Sequence, residues 1–213
     1  MSSESLPERI PIFPLPNVVL FPQVFLPLHI FEPRYREMVA DAIDGDRLIG
    51  MALLREGWQR HASPNPPIFP IGCAGRITHV ASLPDGRYNI VLRGVDRFRV
   101  LDEDQSRAYR IGVIELLADG STAGRQTHLQ AGRRRIEDLL DRQTAAGAAT
   151  RIPPGMADAE LVNVLSQYLA FEPIEKQALL EKSGPCERCA ALSDLLEMRL
   201  MTSGRPFSAA GVQ

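Results

Sequence analysis

The sequence predicts an α+β fold, with strands first and helices after. Three observations carry this. Apolar and polar residues alternate with period two through much of the region up to Leu117, as half-buried strands require. Beyond "ADGSTAG" (118–124) the apolar period changes to about 3.6, the signature of amphipathic helices. Between residues 10 and 31, Pro14, Pro16, Pro22 and Pro27 interrupt a strongly apolar run. Proline lacks an amide donor and holds the preceding residue extended, so that run follows a meandering β path and not a helix.

Taken in order, "RIPIF" is a short strand that Pro14 ends or confines to an edge. "LPN" is a turn, and "VVLF" and "VFLPLHIF" are further extended pieces. Pro33 suits the first helical position, with Glu32 where the helix dipole favours negative charge. Tyr35, Met38, Val39, Ala42 and Ile43 then form one apolar stripe of a helix over 32–44. "LIGMALL" (48–54) reads as a strand buried on both faces. Residues 55–67 form a polar, proline-rich loop holding Trp58. Next come "IFPIGCAGRITHVASL" and "RYNIVLRGVDRFRVLD", joined by Pro84-Asp85-Gly86, a hairpin turn in which proline presets φ and glycine supplies φ > 0. "YRIGVIELL" (109–117) is the last strand.

The helical part begins with a charged helix over 125–146, with Leu129, Ile136, Leu139 and Leu140 on one side. "AAGAATRIPPG" (145–155) is a linker. A helix over 157–171 buries Leu161, Leu165 and Tyr168; Glu172-Pro173 starts another that Gly184 ends. The last runs from Pro185 to Met201 with Leu192, Leu195, Leu196 and Leu200 inside. The expected division is a β domain over 1–118, a helical bundle over 125–203 and a disordered tail over 204–213.

Composition narrows the function. The 213 residues carry a net charge of −2 and are 45% hydrophobic, enough for real cores. A pI near 6.1 disfavours a dedicated nucleic-acid binder, which ordinarily presents a basic face to phosphates. "MSSESLPERI" has no signal-peptide pattern, and no run reaches the roughly 18–20 apolar residues of a spanning helix. Three cysteines imply no disulfide framework. The expected setting is cytoplasmic, with reduced thiols and no membrane partner.

The chemistry-bearing motifs are few. No GxxxxGK[ST], GxSxG or HExxH occurs, and His29, His61, His79 and His128 are scattered, which points away from an enzyme and implies no cofactor or metal. Cys186-Glu-Arg-Cys189 lacks the second ligand pair that zinc needs and the preceding strand of a redox motif; it reads as small residues on a bundle helix. Arg133-Arg134-Arg135 fans around its helix beside Glu137, Asp138 and Asp141, the pattern of a solvated face. His29 and His79 sit among apolar residues and read as packed or hydrogen-bonded. Trp58 is either a loop anchor or a contact residue.

The order of these pieces resembles the Lon protease N-terminal domain family. The resemblance rests on "IPIFPLPNVVLFPQVFLPLHIFEPRYREMV" (10–39), on Leu83-Pro-Asp-Gly86 and Val91-Leu-Arg-Gly94 with Arg97, and on "EKQALLE" (175–181) with "LSDLLEMRL" (192–200). It implies a PUA-like mixed β pseudo-barrel followed by a helical bundle. It also implies a non-catalytic, stand-alone substrate-recognition domain without ATPase or Ser-Lys peptidase modules. Such a domain would bind unfolded or exposed apolar polypeptide, as an adaptor or quality-control factor. The alternative is a PUA-like small-ligand or RNA-binding module; the net charge disfavours RNA. Phe31, Glu32, Arg34 and Tyr35, at the corner where strand meets helix, are the candidate polypeptide contacts, with Trp58. Phe31 and Tyr35 could equally be core.

Overall fold

The computed structural model describes residues 6–60, 65–119, 124–144 and 155–203. The linker expected over 145–155 falls almost wholly outside these residues, as does the tail expected over 204–213. The chain divides into two compact units, Met1–Ala118 and Asp119–Gln213.

The first unit contains strands β1 (Arg9–Leu15), β2 (Phe25–Ile30), β3 (Leu48–Leu53), β4 (Ile71–Ser82), β5 (Tyr88–Asp104) and β6 (Arg110–Leu117), with helix α1 (Pro33–Asp44) between β2 and β3. The sheet order is β2-β5-β4-β3-β1-β6, and β6 also pairs with β5. The length of β5 makes this possible. Its first part, Tyr88–Arg93, pairs with β2, while Arg97–Asp104 pairs with β6. The sheet therefore closes through β5-β4-β3-β1-β6, and β2 remains outside the closure as an edge strand. All neighbours are antiparallel except β1 and β3.

Ile10, Ile12, Ala52, Leu54, Ile68, Ala74, Phe98 and Ile114 form one core cluster. β3 is buried at every position, as its uninterrupted apolar run requires. The hairpin between β4 and β5 closes at Leu83 and Arg87, with Leu83 N donating to Arg87 O at 2.8 Å. Gly86 has φ 79, the left-handed conformation the turn demands.

Pro14 differs from expectation in part. It lies inside β1, paired with Ala52 of β3, and does not end the strand; β6 pairs only with Arg9–Ile12, so Pro14 stands at a local edge. The reason is a change of neighbours along β1. Pro11 is registered only with Ile111 of β6, and Pro14 only with Ala52 of β3. Each proline thus has a paired strand on one side, and its missing donor can face the other. "VVLF" also differs: residues 18–21 form no strand. Val19, Leu20 and Phe21 are instead buried in a loop that plugs against Gly94, where an added Cβ would stand 2.0 Å from Phe21 O.

The second unit contains α2 (Gln126–Thr144), α3 (Asp158–Tyr168), α4 (Pro173–Leu180) and α5 (Pro185–Ser203). α3 ends three residues earlier than its apolar pattern suggests, and α4 stops at Leu180, before Gly184. α4 begins with a capping box: Glu172 and Glu175 each satisfy the other's backbone amide. Leu129, Ile136, Leu139, Leu161, Leu165, Leu192 and Leu196 are buried as their spacing requires, whereas Tyr168, Leu195 and Leu200 are only half-buried.

Candidate functional site

The corner between β2 and α1 is built by two residues of connection, Phe31 and Glu32. β2 ends at Ile30, Phe31 turns outward at 60% exposure, and Glu32 stands at the helix N-cap in extended backbone geometry. Pro33 opens the helix, so the first helical residue needs no acceptor. Tyr35 N and Arg36 N both donate to Glu32 O, at 3.0 and 2.9 Å. The Glu32 carboxylate makes no cap bond. It accepts from Arg34 Nε at 3.0 Å and pairs with Arg34 Nη2 at 3.0 Å.

Arg34 also lies over the Tyr35 ring, its guanidinium carbon 4.4 Å from the centroid. The Tyr35 ring meets the Phe13 ring at 4.4 Å and 50° and is 5% exposed. Burial raises its pKa, with Arg34 opposing. Tyr35 is therefore a floor beneath the corner and not part of its surface. Phe31 lies 6.2 Å from the His29 ring in a stacked arrangement. His29 Nδ1 is 2.7 Å from Asn89 Oδ1, and its Nε2 is 3.3 Å from Arg87 Nη1. An arginine N–H can only donate, so Nε2 is the acceptor and Nδ1 carries the proton.

The corner brings Phe31, Glu32, Arg34 and Tyr35 together. Trp58 belongs elsewhere in the unit. It sits in a short 3-10 turn, Trp58–Arg60, half-buried and packed on the core cluster that includes Leu54 and Ile68. A loop-anchoring role accounts for that packing.

Sequence reasoning missed three features. Phe25, in β2, is 51% exposed although it lies in the apolar run. Arg110 is 4% exposed and pairs with Glu103 at 3.1 Å; burial lowers its pKa while Glu103 opposes the shift. Tyr109 donates to Asp41 Oδ2 at 2.6 Å, which joins the residue before β6 to α1. Only the pairing of distant strands reveals these contacts. The strand alternation of "VFLPLHIF" could have exposed Phe25, since Phe25, Pro27, His29 and Phe31 share one parity.

In the bundle, Cys189 is buried and packs where α2 passes close at Gly132; a Cβ there would stand 2.5 Å from Cys189 Sγ. Burial pushes its thiol up to about 11, unlike a reactive or metal-binding thiolate. Arg133 pairs with Glu137 at 2.8 Å and Asp158 at 2.9 Å, and Arg135 pairs with Glu197 at 2.8 Å. Two of the three consecutive arginines are thus engaged within the bundle. Among the described residues, no three His, Cys, Asp or Glu side chains converge on a point that could hold a metal ion. No described helix is long and apolar enough to cross a membrane.

The sequence profile of the ATP-dependent protease La (LON) substrate-binding domain matches residues 9–198. The chain belongs to this family. The Lon substrate-binding match is supported by relatives at modest identity. A Lon protease of Cytophaga hutchinsonii is 28% identical over 212 residues, covering 92% of this chain and 25% of that protein. Lon protease 2 of Syntrophobacter fumaroxidans is 26% identical over 190 residues, covering 85% and 23%. The chain thus spans about a quarter of the length of these curated relatives. The fold is shared with the N-terminal domain of a Mycobacterium avium complex Lon protease, with a TM-score of 0.62 and 16% identity, covering 89% of this chain and 98% of that one. It is shared too with a Lon N-terminal domain protein from Xanthomonas campestris, with a TM-score of 0.58 and 24% identity, covering 89% and 97%. The match lies in the substrate-binding part of Lon and not in its catalytic part.

Proposed function

We propose that this chain is a non-catalytic polypeptide-binding module that recognises exposed or unfolded segments, as an adaptor or quality-control factor. The observation that carries this is the family match across residues 9–198, in a region named for substrate binding. The corner of β2 and α1 is its contact surface. Phe31 supplies an exposed aromatic ring, and Glu32 and Arg34 supply charges of both signs. Their mutual ion pair is solvent-exposed, so it stabilises by under about 1 kcal/mol and can be exchanged for a ligand's charges at little cost. Tyr35 holds Arg34 in place from below.

The test is a pull-down of a reduced, unfolded client by the wild-type chain and by a double charge reversal, Glu32→Lys with Arg34→Glu. Thermal stability should change by well under about 1 kcal/mol, while client retention falls. Equal retention by both proteins removes the corner from the site. No retention by either removes the polypeptide-binding function.

A further inference from the structure

A pocket opens where β5 departs from its regular ladder with β6. Val100 is registered with Ile114 and Asp102 with Val113, so Leu101 is an extra residue without a counterpart in the register. A bulge of this kind re-aims side chains, and Leu101 stands 61% exposed. Alongside runs the loop that leads into β4. Val100 N donates to Pro70 O at 2.8 Å, Phe69 N to Leu53 O at 2.8 Å and Arg55 N to Pro67 O at 2.9 Å, so the loop is held by backbone bonds on both sides. Between loop and bulge lies a cavity of about 510 Å³, a size typical of ligand pockets. Pro67, Ile68, Pro70, Val100 and Leu101 make its apolar wall.

The charged residues of the lining are Asp102, Glu103 and Arg110. Arg110 is buried and both its terminal nitrogens are engaged: Nη1 donates to the two Glu103 oxygens, at 3.2 and 3.1 Å, and Nη2 donates to Pro66 O. Arg110 therefore neutralises Glu103. Asp102 differs. It is exposed, and its Oδ1 accepts from Glu103 N at 2.9 Å, which leaves Oδ2. Among the described residues no lysine or arginine pairs with Asp102. The lining thus holds two carboxylates against one guanidinium. Arg55, beside the loop, donates to Ile68 O at 3.0 Å, lies over the Phe69 ring and takes no part in the lining. Burial lowers the pKa of Arg110, Glu103 and Tyr35 oppose the shift, and Arg34 adds to it. Coulombic influence falls with distance, so the pocket floor is a neighbour of the corner between β2 and α1.

We propose that this pocket takes a basic side chain, lysine or arginine, of a bound polypeptide. This rests on the polypeptide-binding function above and names a side chain that it selects. Lysine and arginine carry a cation at the end of an aliphatic stem. The stem packs on Pro67, Pro70 and Leu101, and the cation answers the charge of Asp102. A purely apolar side chain leaves that charge unanswered. An acidic one meets Asp102 with like charge and finds Arg110 already held by Glu103. A nucleic acid brings phosphates to a lining of net negative charge and is repelled.

The test uses the full chain and fluorescence anisotropy with peptides of about eight residues, built of alanine and valine around one central lysine, norleucine or glutamate. Norleucine keeps the aliphatic stem and loses the cation. The lysine peptide should bind about threefold more tightly than the norleucine peptide, as one exposed ion pair implies, and the glutamate peptide should bind weakest. Asp102→Asn keeps an acceptor for Glu103 N and should erase the difference between lysine and norleucine without moving the melting temperature. Leu101→Ser should weaken both peptides alike. The lysine preference should shrink as salt rises from about 0.05 to about 0.5 M. The pocket is wrong if lysine and norleucine peptides bind the wild type equally, if the glutamate peptide binds best, or if the lysine preference survives Asp102→Asn. It is wrong too if no peptide binds while an unfolded client is still retained, and in that case the broader function stands. If neither peptide nor client binds, both fall. If spermine binds with the same dependence on Asp102 where every peptide fails, the pocket serves small free cations and the proposal is overturned.

Discussion

Replacing Arg188 by methionine should destabilise the helical unit by about 2–4 kcal/mol. Arg188 is wholly buried at 0% exposure. Its Nε donates to Leu179 O at 3.1 Å, its Nη1 to Asn163 Oδ1 at 2.5 Å, and its Nη2 lies 3.5 Å from Asp119 Oδ1. One guanidinium thus joins α3, the end of α4, α5 and the segment leading into the unit. Methionine keeps most of the stem volume, so the loss is chiefly polar. Asn163 is 3% exposed, and leaving its carbonyl without this donor costs about 1–3 kcal/mol. Leu179 O retains the bond from Lys182 N and loses less. The Asp119 side chain is 27% exposed and can regain water, which adds under about 1 kcal/mol. Urea unfolding gives the change in free energy, and amide exchange should show it in α3, α4 and α5 while β1 to β6 keep their protection. Adding Asn163→Leu to the variant removes the buried carbonyl that has lost this donor and should restore about 1 kcal/mol. A loss below about 0.5 kcal/mol, or a double variant worse than the single, would refute the assignment of Arg188 as the polar centre of this unit.

The other predictions concern the barrel and the thiols. Gly94→Ala should cost more than about 2 kcal/mol, because its Cβ would meet the Phe21 carbonyl, a backbone atom with no rotamer to adopt. Gly57→Ala, with φ 75 and nothing within 4 Å, should cost only the left-handed strain of about 1 kcal/mol; urea midpoints rank the two. Tyr109 is pushed up to about 12 by burial and by the Asp41 carboxylate. The unfolded tyrosine ionises first, near 10, so this stabilisation is whole below that pH and is lost as pH rises to about 12. Tyr109→Phe should flatten that part of the stability–pH curve; an unchanged slope would remove the Tyr109–Asp41 bond from the account. At pH 8 a thiol reagent should label the half-exposed Cys186 quickly, with Cys73 and Cys189 reacting only at the rate of opening. A Cys189 that reacts as fast as Cys186 would contradict its burial.

Local chemistry was legible where it acts locally. Pro33, Pro173 and Pro185 mark helix starts because a first helical residue needs no amide, and each opens its helix in the structure. Pro84-Asp85-Gly86 forms the expected hairpin for the same kind of reason. What sequence could not show depended on strands that meet only after folding. Pro14 looked like a strand end because one chain cannot reveal that β6 stops pairing where β3 begins. Arg188 sat inconspicuously between two cysteines; its partners come from 9, 25 and 69 residues away along the chain. The corner was visible as a change from apolar run to charges, but its split into surface and floor was not. Phe31 and Tyr35 are both aromatic and four residues apart. One precedes the helix and turns outward, while the other begins the buried stripe against Phe13.

That split follows from the way β5 is shared. Where β5 pairs with β6, the sheet closes on itself and its inner residues make the core; Phe98, at this end, is fully buried. Where β5 pairs with β2, the sheet has left the closure, and Phe25, His29, Asn89 and Arg93 on one of its faces are exposed. Phe25 and Phe31 lie on or beside this part of the sheet and not in the core cluster. Large apolar residues exposed to water are the kind of surface that marks a contact. The core therefore constrains Ile90 and Leu92 on one face of β5, while Asn89, Val91 and Arg93 on the other lie outside it. A single strand thus serves core and surface in turn, residue by residue, along its own alternation.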